Sequence, residues 1–184
     1  VMGLSRGLAF VNAILQSEDA CLYAVCDKNP SRLAVMDTNY PQDSKNTLRF
    51  DNFDDFIESG VEAVVLANYF DEHAKFAIRC MEKGIHVLVE KPAGVYTKQV
   101  RWMNEEAQKH NVVFGMMFNQ RTNCVYRKMR ELIQSGKYGN IRRTNWLITN
   151  WYRPQAYYDS GDWRATWSGE GGGVLMNQCP HQLD

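Results

Sequence analysis

An acid, a base and a proline close the apolar run Val87-Leu88-Val89-Glu90-Lys91-Pro92. A strand buried on both faces reads as continuous Val and Leu, and charges at its carboxyl end fall where open parallel sheets bind ligands. Lys91 is therefore the first residue to suspect of a role at a ligand site. An ordinary exposed lysine at a strand end would look the same, so its weight depends on the motifs around it.

A second candidate opens the chain. Gly3 and Gly7 lie in Val-Met-Gly-Leu-Ser-Arg-Gly, directly before Leu8, Val11, Ile14 and Leu15, which are spaced as one face of a helix. Glycines followed at once by a helix suit an anion, because bare N–H groups and the helix dipole face it and Gly permits close backbone approach. Gly3 and Gly7 do not form a regular GxGxxG, and a plain glycine turn fits them equally.

Asp27 ends the apolar run Cys21 to Cys26 and lies 24 residues after Gly3. A dinucleotide fold places an acid about 20 residues past its glycine loop, where it accepts hydrogen bonds from the adenosine ribose. In that role Asp27 repels a 2′-phosphate and favours NAD over NADP. Alternatively, Asp27 caps a helix starting near Asn29-Pro30, since Pro suits a first helical turn.

These residues need elements to carry them. Strands are expected at Leu48 to Phe50, Ala63 to Ala67, Val87 to Val89 and Val112 to Met116. Helices are expected at Asp54 to Ser59, Phe70 to Lys83 and Lys98 to His110, the second with Phe70, Ala74, Ala77, Ile78 and Met81 on one face and Gly84 as its stop. Such alternation with short connections implies an α/β fold with a parallel, doubly wound sheet. A dinucleotide fold has a strand directly before its glycine loop, and only Val-Met stands there, so the sequence is expected to begin inside the first motif.

After Met117 the pattern changes. Cys124 to Ser135 reads as a helix with Val125, Met129, Leu132 and Ile133 inward, and Ile141 to Trp151 as a strand. The segment from Tyr152 to Gly173 is dense in Trp, Tyr, Arg and Gly and too long for a tight turn; loops of that length are usually functional or poorly ordered.

Composition narrows the function classes. At 45% hydrophobic and 23% charged the 184 residues make a globular chain, and equal counts of 21 basic and 21 acidic residues leave no net field to attract nucleic acid or an anionic membrane. No apolar run approaches the roughly 18 residues of a membrane span, and the start lacks a signal peptide's pattern. The five cysteines form no CxxC pair and three lie in apolar runs, as reduced core thiols do, which favours a cytoplasmic location. His73 and His86 are expected on a helix surface and a strand edge, and His110 at a helix end. No histidine has metal-ligand spacing, so no metal is expected.

Three features taken together go beyond periodicity: the glycine loop with Asp27, Glu90-Lys91-Pro92 at a strand end, and Gly171-Gly172-Gly173 before Asn177-Gln178-Cys179-Pro180-His181. With the phrase Gly84-Ile85-His86-Val87-Leu88-Val89-Glu90-Lys91-Pro92, the chain resembles the Gfo/Idh/MocA family of nicotinamide-dependent sugar and polyol oxidoreductases over essentially its whole length.

The resemblance implies a Rossmann-type NAD-binding domain over 1–120, followed over 121–184 by the beginning of an α+β substrate domain with a mostly antiparallel sheet. Relatives continue well past the matching histidine, so these 64 residues are expected to be part of a longer domain that commonly builds a homo-oligomer interface. Lys91 matches the family's catalytic lysine and His181 its catalytic histidine. Asn177 stands where many members have aspartate; an amide orients a hydroxyl but cannot hold or release a proton as a carboxylate does. The expected cofactor contacts are Gly3, Ser5, Arg6, Gly7 and Asp27, joined by Asn68, Glu90, Trp163 and Arg164. Trp163 and Arg164 resemble a segment that approaches the cofactor and substrate cleft, although an aromatic plug between domains fits them as well. Asn119 and Arg121 are substrate candidates at the pocket floor, with Tyr152, Arg153, Tyr157 and Tyr158 at its rim. The implied reaction moves hydride between NAD and a carbinol or carbonyl carbon of a sugar, polyol or glycoside, with Lys91 and His181 managing the proton. Glycoside cleavage by a retained NAD, or a nucleotide-holding sensor without chemistry, are the rival outcomes.

Overall fold

Five short strands carry the first part of the chain: β1 (Ala24–Cys26), β2 (Leu48–Phe50), β3 (Ala63–Leu66), β4 (His86–Glu90) and β5 (Phe114–Met117). The computed structural model describes all residues from Val1 to Asp184, and they divide into two compact units, Val1–Met117 and Phe118–Asp184. In the first unit β1 pairs with β2, and β3 with β4 and β4 with β5, all parallel. Met2 joins the two sets, bridging in parallel to both Cys26 and Leu66. Cys26 N–H donates to Val1 O and Ala67 N–H to Met2 O, each at 2.9 Å.

Val1 and Met2 thus occupy the central position of a single parallel sheet, ordered β2, β1, Val1-Met2, β3, β4, β5. The chain leaves this centre first toward one edge and then toward the other. That reversal is the switch point at which open α/β sheets bind ligands, outside the carboxyl ends of their strands.

Side-chain alternation along the strands explains the two-sided packing. Met2, Ala24, Cys26, Val64, Leu66, Val87 and Val89 share one core, while Val1, Val25 and Val65 pack in the other. Successive strand residues point to opposite faces, so each face needs its own layer of helices. On the second face lie α1 (Leu8–Leu15), α2 (Pro30–Leu33) and α3 (Val35–Asn39), through Leu8, Val11, Leu33 and Met36. On the first lie α4 (Phe53–Glu58), α5 (His73–Glu82) and α6 (Thr97–Lys109), through Phe53, Phe56, Ala77, Met81 and Met103. Cys26 and Cys80 lie inside this core, where burial pushes both thiols up to about 12 and leaves them unreactive.

Local signals set the boundaries. Asn52 caps α4, its Oδ1 accepting from Asp55 N–H at 2.9 Å, and Asp54 and Asp55 place negative charge at the positive end of the helix. Asn52→Ala should lower the stability of the first unit by about 1 kcal/mol in denaturant unfolding, with an unchanged slope. α5 starts three residues later than its apolar face implies, because residues 69–72 close a turn in which Glu72 N–H donates to Tyr69 O. Gly84 follows it at φ +75°.

The second unit holds a 3-10 turn (Asn119–Thr122) and the helices α7 (Cys124–Gln134), α8 (Gln155–Tyr158), α9 (Trp167–Glu170), α10 (Val174–Asn177) and α11 (Pro180–Leu183). The strand expected at Ile141 to Trp151 does not form: residues 140–149 are irregular and exposed, with Leu147 at 89%. A strand exists only through its ladder, and no segment of this unit enters one. For the same reason Phe118–Asp184 contains no antiparallel sheet. Val125, Met129, Leu132 and Ile133 on α7 are likewise exposed rather than inward.

Candidate functional site

The carboxyl edge of the parallel sheet gathers residues from four successive elements. At its centre Gly3 adopts φ +87°, and a Cβ there would stand 2.6 Å from the Ala67 carbonyl carbon and oxygen. A Cβ on Gly7 would stand 2.3 Å from Gly3 O, the atom to which Gly7 N–H donates at 2.9 Å. Only glycine lets the chain turn this tightly between the sheet and α1. Gly7 caps α1, Leu4 is fully buried and anchors the loop, and Ser5 and Arg6 are exposed at its tip.

Asp27 follows β1 and reaches this loop. Its Oδ2 accepts from Leu4 N–H at 2.7 Å and its Oδ1 from Asn29 N–H at 2.9 Å. The residue that caps α2 is Asn29, whose Oδ1 accepts from Ser31 N–H at 2.9 Å. Asn68, following β3, lies against Gly3 through its backbone nitrogen and donates from Nδ2 to Glu72 Oε2 at 3.1 Å. Its Oδ1 is buried with no hydrogen-bond partner in the protein, an acceptor suited to a donor from a bound molecule.

Glu90 ends β4 and Lys91 follows it directly. Burial raises the Glu90 carboxyl above its ordinary range, and the positive charges of Lys91 and Arg6 pull it back. Lys91 is buried, 9% exposed, and its peptide bond to Pro92 is cis. Behind it stands His73, which is not a surface residue: its side chain is fully buried beside Phe70, with Nδ1 2.8 Å from Pro92 O. His86 does lie at a strand edge, where Nδ1 accepts from Val113 N–H at 2.9 Å, and His110 follows the end of α6.

In the second unit the chemistry clusters around Asn177 at the end of α10. Asn177 Nδ2 donates to Glu170 Oε1 and, at 3.4 Å, approaches Tyr157 Oη. Glu170 is 4% exposed, and its Oε2 accepts from Ala165 N–H at 2.9 Å. A carboxylate only accepts, so Glu170 fixes which end of the Asn177 amide faces it. Arg164 donates to Tyr157 Oη at 2.7 Å, its guanidinium lying between the Tyr157 and Trp163 rings. Arg153 stacks on the same tyrosine and donates to Gln178 at 2.7 Å. Trp151, Tyr152, Arg153, Tyr158, Trp167 and Asn177 line an adjoining cavity of about 510 Å³.

Not every expected pocket residue joins this group. Arg121 is instead paired with Asp184 across the Phe118 ring, and Asn119 is exposed. His181, on α11, sets the edge of its ring on Phe118 at 6.3 Å. Glu170 escaped the sequence reading, yet it is the one charged residue between Arg164 and His181. An isolated acid among glycines and amides marks a buried acceptor.

Comparisons with known proteins agree with this geometry. Residues 1–118 match the model of an oxidoreductase family with an NAD-binding Rossmann fold, and residues 126–184 match the GFO/IDH/MocA C-terminal domain. Myo-inositol 2-dehydrogenase of Thermotoga maritima is 28% identical over 141 residues, covering 76% of this chain and 41% of that protein. The WlbA dehydrogenase of Bordetella pertussis, solved with NADH and UDP-GlcNAcA, superposes with a TM-score of 0.83 at 26% identity over 99% of this chain and 56% of its own. Scyllo-inositol dehydrogenase of Lactobacillus casei, solved with NAD(H) and scyllo-inositol, gives 0.69 at 25% identity, covering 75% and 41%. This chain therefore spans about half the length of such relatives. No helix is long and apolar enough to cross a membrane. With a family model matched over most of its length and the switch-point glycine loop in place, the chain belongs to the Gfo/Idh/MocA oxidoreductase family, and its first domain is an NAD-binding Rossmann domain.

Proposed function

We propose that the full protein oxidises a carbinol carbon of a sugar, polyol or glycoside, or reduces the corresponding carbonyl, with NAD. The observation that carries this reading is the burial of Lys91 on the same sheet edge as the Gly3 to Gly7 turn and Asp27. NAD, when bound, supplies the hydride acceptor.

The chain's own residues do the rest. The Gly3 to Gly7 turn and the start of α1 present N–H groups to the pyrophosphate, and neither glycine leaves a Cβ in the way. Asp27 holds the loop through Leu4 and retains lone pairs for the adenosine ribose hydroxyls. Asn68 Oδ1 accepts from the cofactor. Removing hydride from a carbinol carbon requires the hydroxyl proton to leave as well, and a base within hydrogen-bond reach lowers that barrier. Lys91 takes the proton, His181 is the second acid-base group, and Asn177, oriented by Glu170, aligns a substrate hydroxyl. The aromatic cavity beside Asn177 suits the apolar faces of a sugar ring.

Asp27→Ala should weaken NAD binding about 10- to 100-fold, the worth of a hydrogen bond to a charged group, while NADP binding changes little. Calorimetric titration of both nucleotides checks it; equal losses for the two would remove Asp27 from ribose recognition. The reaction itself is tested by NADH formation over a panel of polyols, aldoses and glycosides. Failure of every substrate in protein that binds NAD would overturn the assignment.

A further inference from the structure

We propose that His73 is a positioning residue for Lys91, acting through the backbone of Pro92. The proposal rests on the reading of Lys91 as the proton-transfer group. His73 is the first residue of α5 and is fully buried, yet its polar ring points at a segment 19 residues away in sequence. Pro92 O can only accept, so the hydrogen of His73 resides on Nδ1 and is donated to that carbonyl at 2.8 Å. Burial lowers the pKa of His73, against the pull of the Pro92 and Asn68 backbones, which favours the neutral ring.

Lys91 is thereby held from both sides. On its amino side Glu90 is fixed by the ladder register that pairs it with Met117 of β5. On its carboxyl side the pinned carbonyl belongs to a proline, whose ring locks φ, so between that carbonyl and the lysine Cα only the ψ rotations of Lys91 and Pro92 remain for the hydrogen bond to restrain. A lysine side chain is long and flexible, and a base helps only when its nitrogen stands within hydrogen-bond distance of the proton it takes. Fixing the backbone on both flanks limits how far the root of that side chain can move.

Two amide substitutions separate positioning from plain packing. His73→Asn carries its N–H close to where Nδ1–H stands, whereas His73→Gln carries it one bond further out. The full protein is labelled with ¹³Cε-lysine, and the Lys91 resonance is assigned by its loss in Lys91→Arg. The Lys91 signal should hold its wild-type position in His73→Asn and shift or broaden in His73→Gln. On a verified substrate His73→Gln should lower kcat by about 10- to 100-fold, the scale of a misplaced reacting group, with NAD affinity within about twofold of wild type. His73→Asn should recover most of that loss and keep both limbs of the pH profile, because a neutral positioning group contributes no limb of its own.

Identical Lys91 resonances in the two variants would overturn the proposal. So would a folded His73→Asn protein whose Lys91 signal has moved, which decides the matter alone if His73→Gln fails to fold. If Lys91→Ala leaves turnover intact, the base assignment fails, and the resonance comparison still judges the positioning independently.

Discussion

Lys91→Ala in the full protein should lower kcat by about 10² to 10⁴, the usual worth of general acid-base help, while NAD affinity stays within about twofold. The asymmetry follows from where the residues stand. The glycine turn and Asp27 follow the central segment and β1, whereas Lys91 follows β4, and its proposed part is the proton rather than the cofactor. Lys91→Arg should be nearly as inactive, although it keeps the positive charge, because a guanidinium does not give up its proton in a protein. An active Lys91→Arg enzyme would mean that the charge, and not the proton, is what matters. Removal of the charge in Lys91→Ala should also raise the Glu90 carboxyl further, since Lys91 is the larger of the two positive charges opposing its burial.

Gly3→Ala should damage stability and NAD binding together. The φ of +87° alone costs a non-glycine residue about 1–3 kcal/mol, and the new Cβ would stand 2.6 Å from the Ala67 carbonyl and 2.7 Å from Asn68 N. Those are backbone atoms at the end of β3, so relief requires the sheet edge itself to move. Gly84→Ala is the matched comparison. Gly84 shares a positive φ, +75°, but has nothing within 4 Å of its would-be Cβ. It should cost only the backbone preference, about 1–3 kcal/mol, and leave NAD affinity unchanged. Thermal unfolding together with nucleotide titration of both variants separates the two effects. Equal damage to NAD binding would show that the close approach of Gly3 to Ala67 is not what shapes the cofactor edge.

Much of the first domain was legible from sequence because β3 and β4 are short Val and Leu runs and α5 carries one apolar stripe. Leu48 to Phe50 forms β2 with the bounds its residues imply, and the strand at Ala63 to Ala67 ends one residue earlier, at Leu66. Helix ends were less legible, since the turn at residues 69–72 delays α5 without altering its periodicity. His73 looked like a surface residue because Lys75 and Arg79 share its helix, and what buries it, the Pro92 carbonyl, is contributed by a distant loop. A tertiary partner of this kind leaves no periodic trace.

The second unit was legible as residues more than as structure. Gly171-Gly172-Gly173 and Asn177 drew attention to this stretch, where Asn177 and Glu170 are buried against each other beside the half-buried Tyr157. Glu170 was overlooked because its partners are an amide and a backbone N–H, neither of which advertises itself as the counterpart of an acid. Ile141 to Trp151 has the composition of a strand, but pairing is a property of two segments, and a single one cannot supply it.

The hydride step is the heart of the proposed reaction and can be followed atom by atom. The full protein, loaded with NAD, is mixed with polyols, aldoses and glycosides deuterated at their carbinol carbons, and the nicotinamide is recovered for mass and NMR analysis. The expected result is deuterium at C4 of NADH from at least one class of substrate, formed at least about 100-fold more slowly in Lys91→Ala. Tight NAD binding with no deuterium transferred from any of them would contradict it.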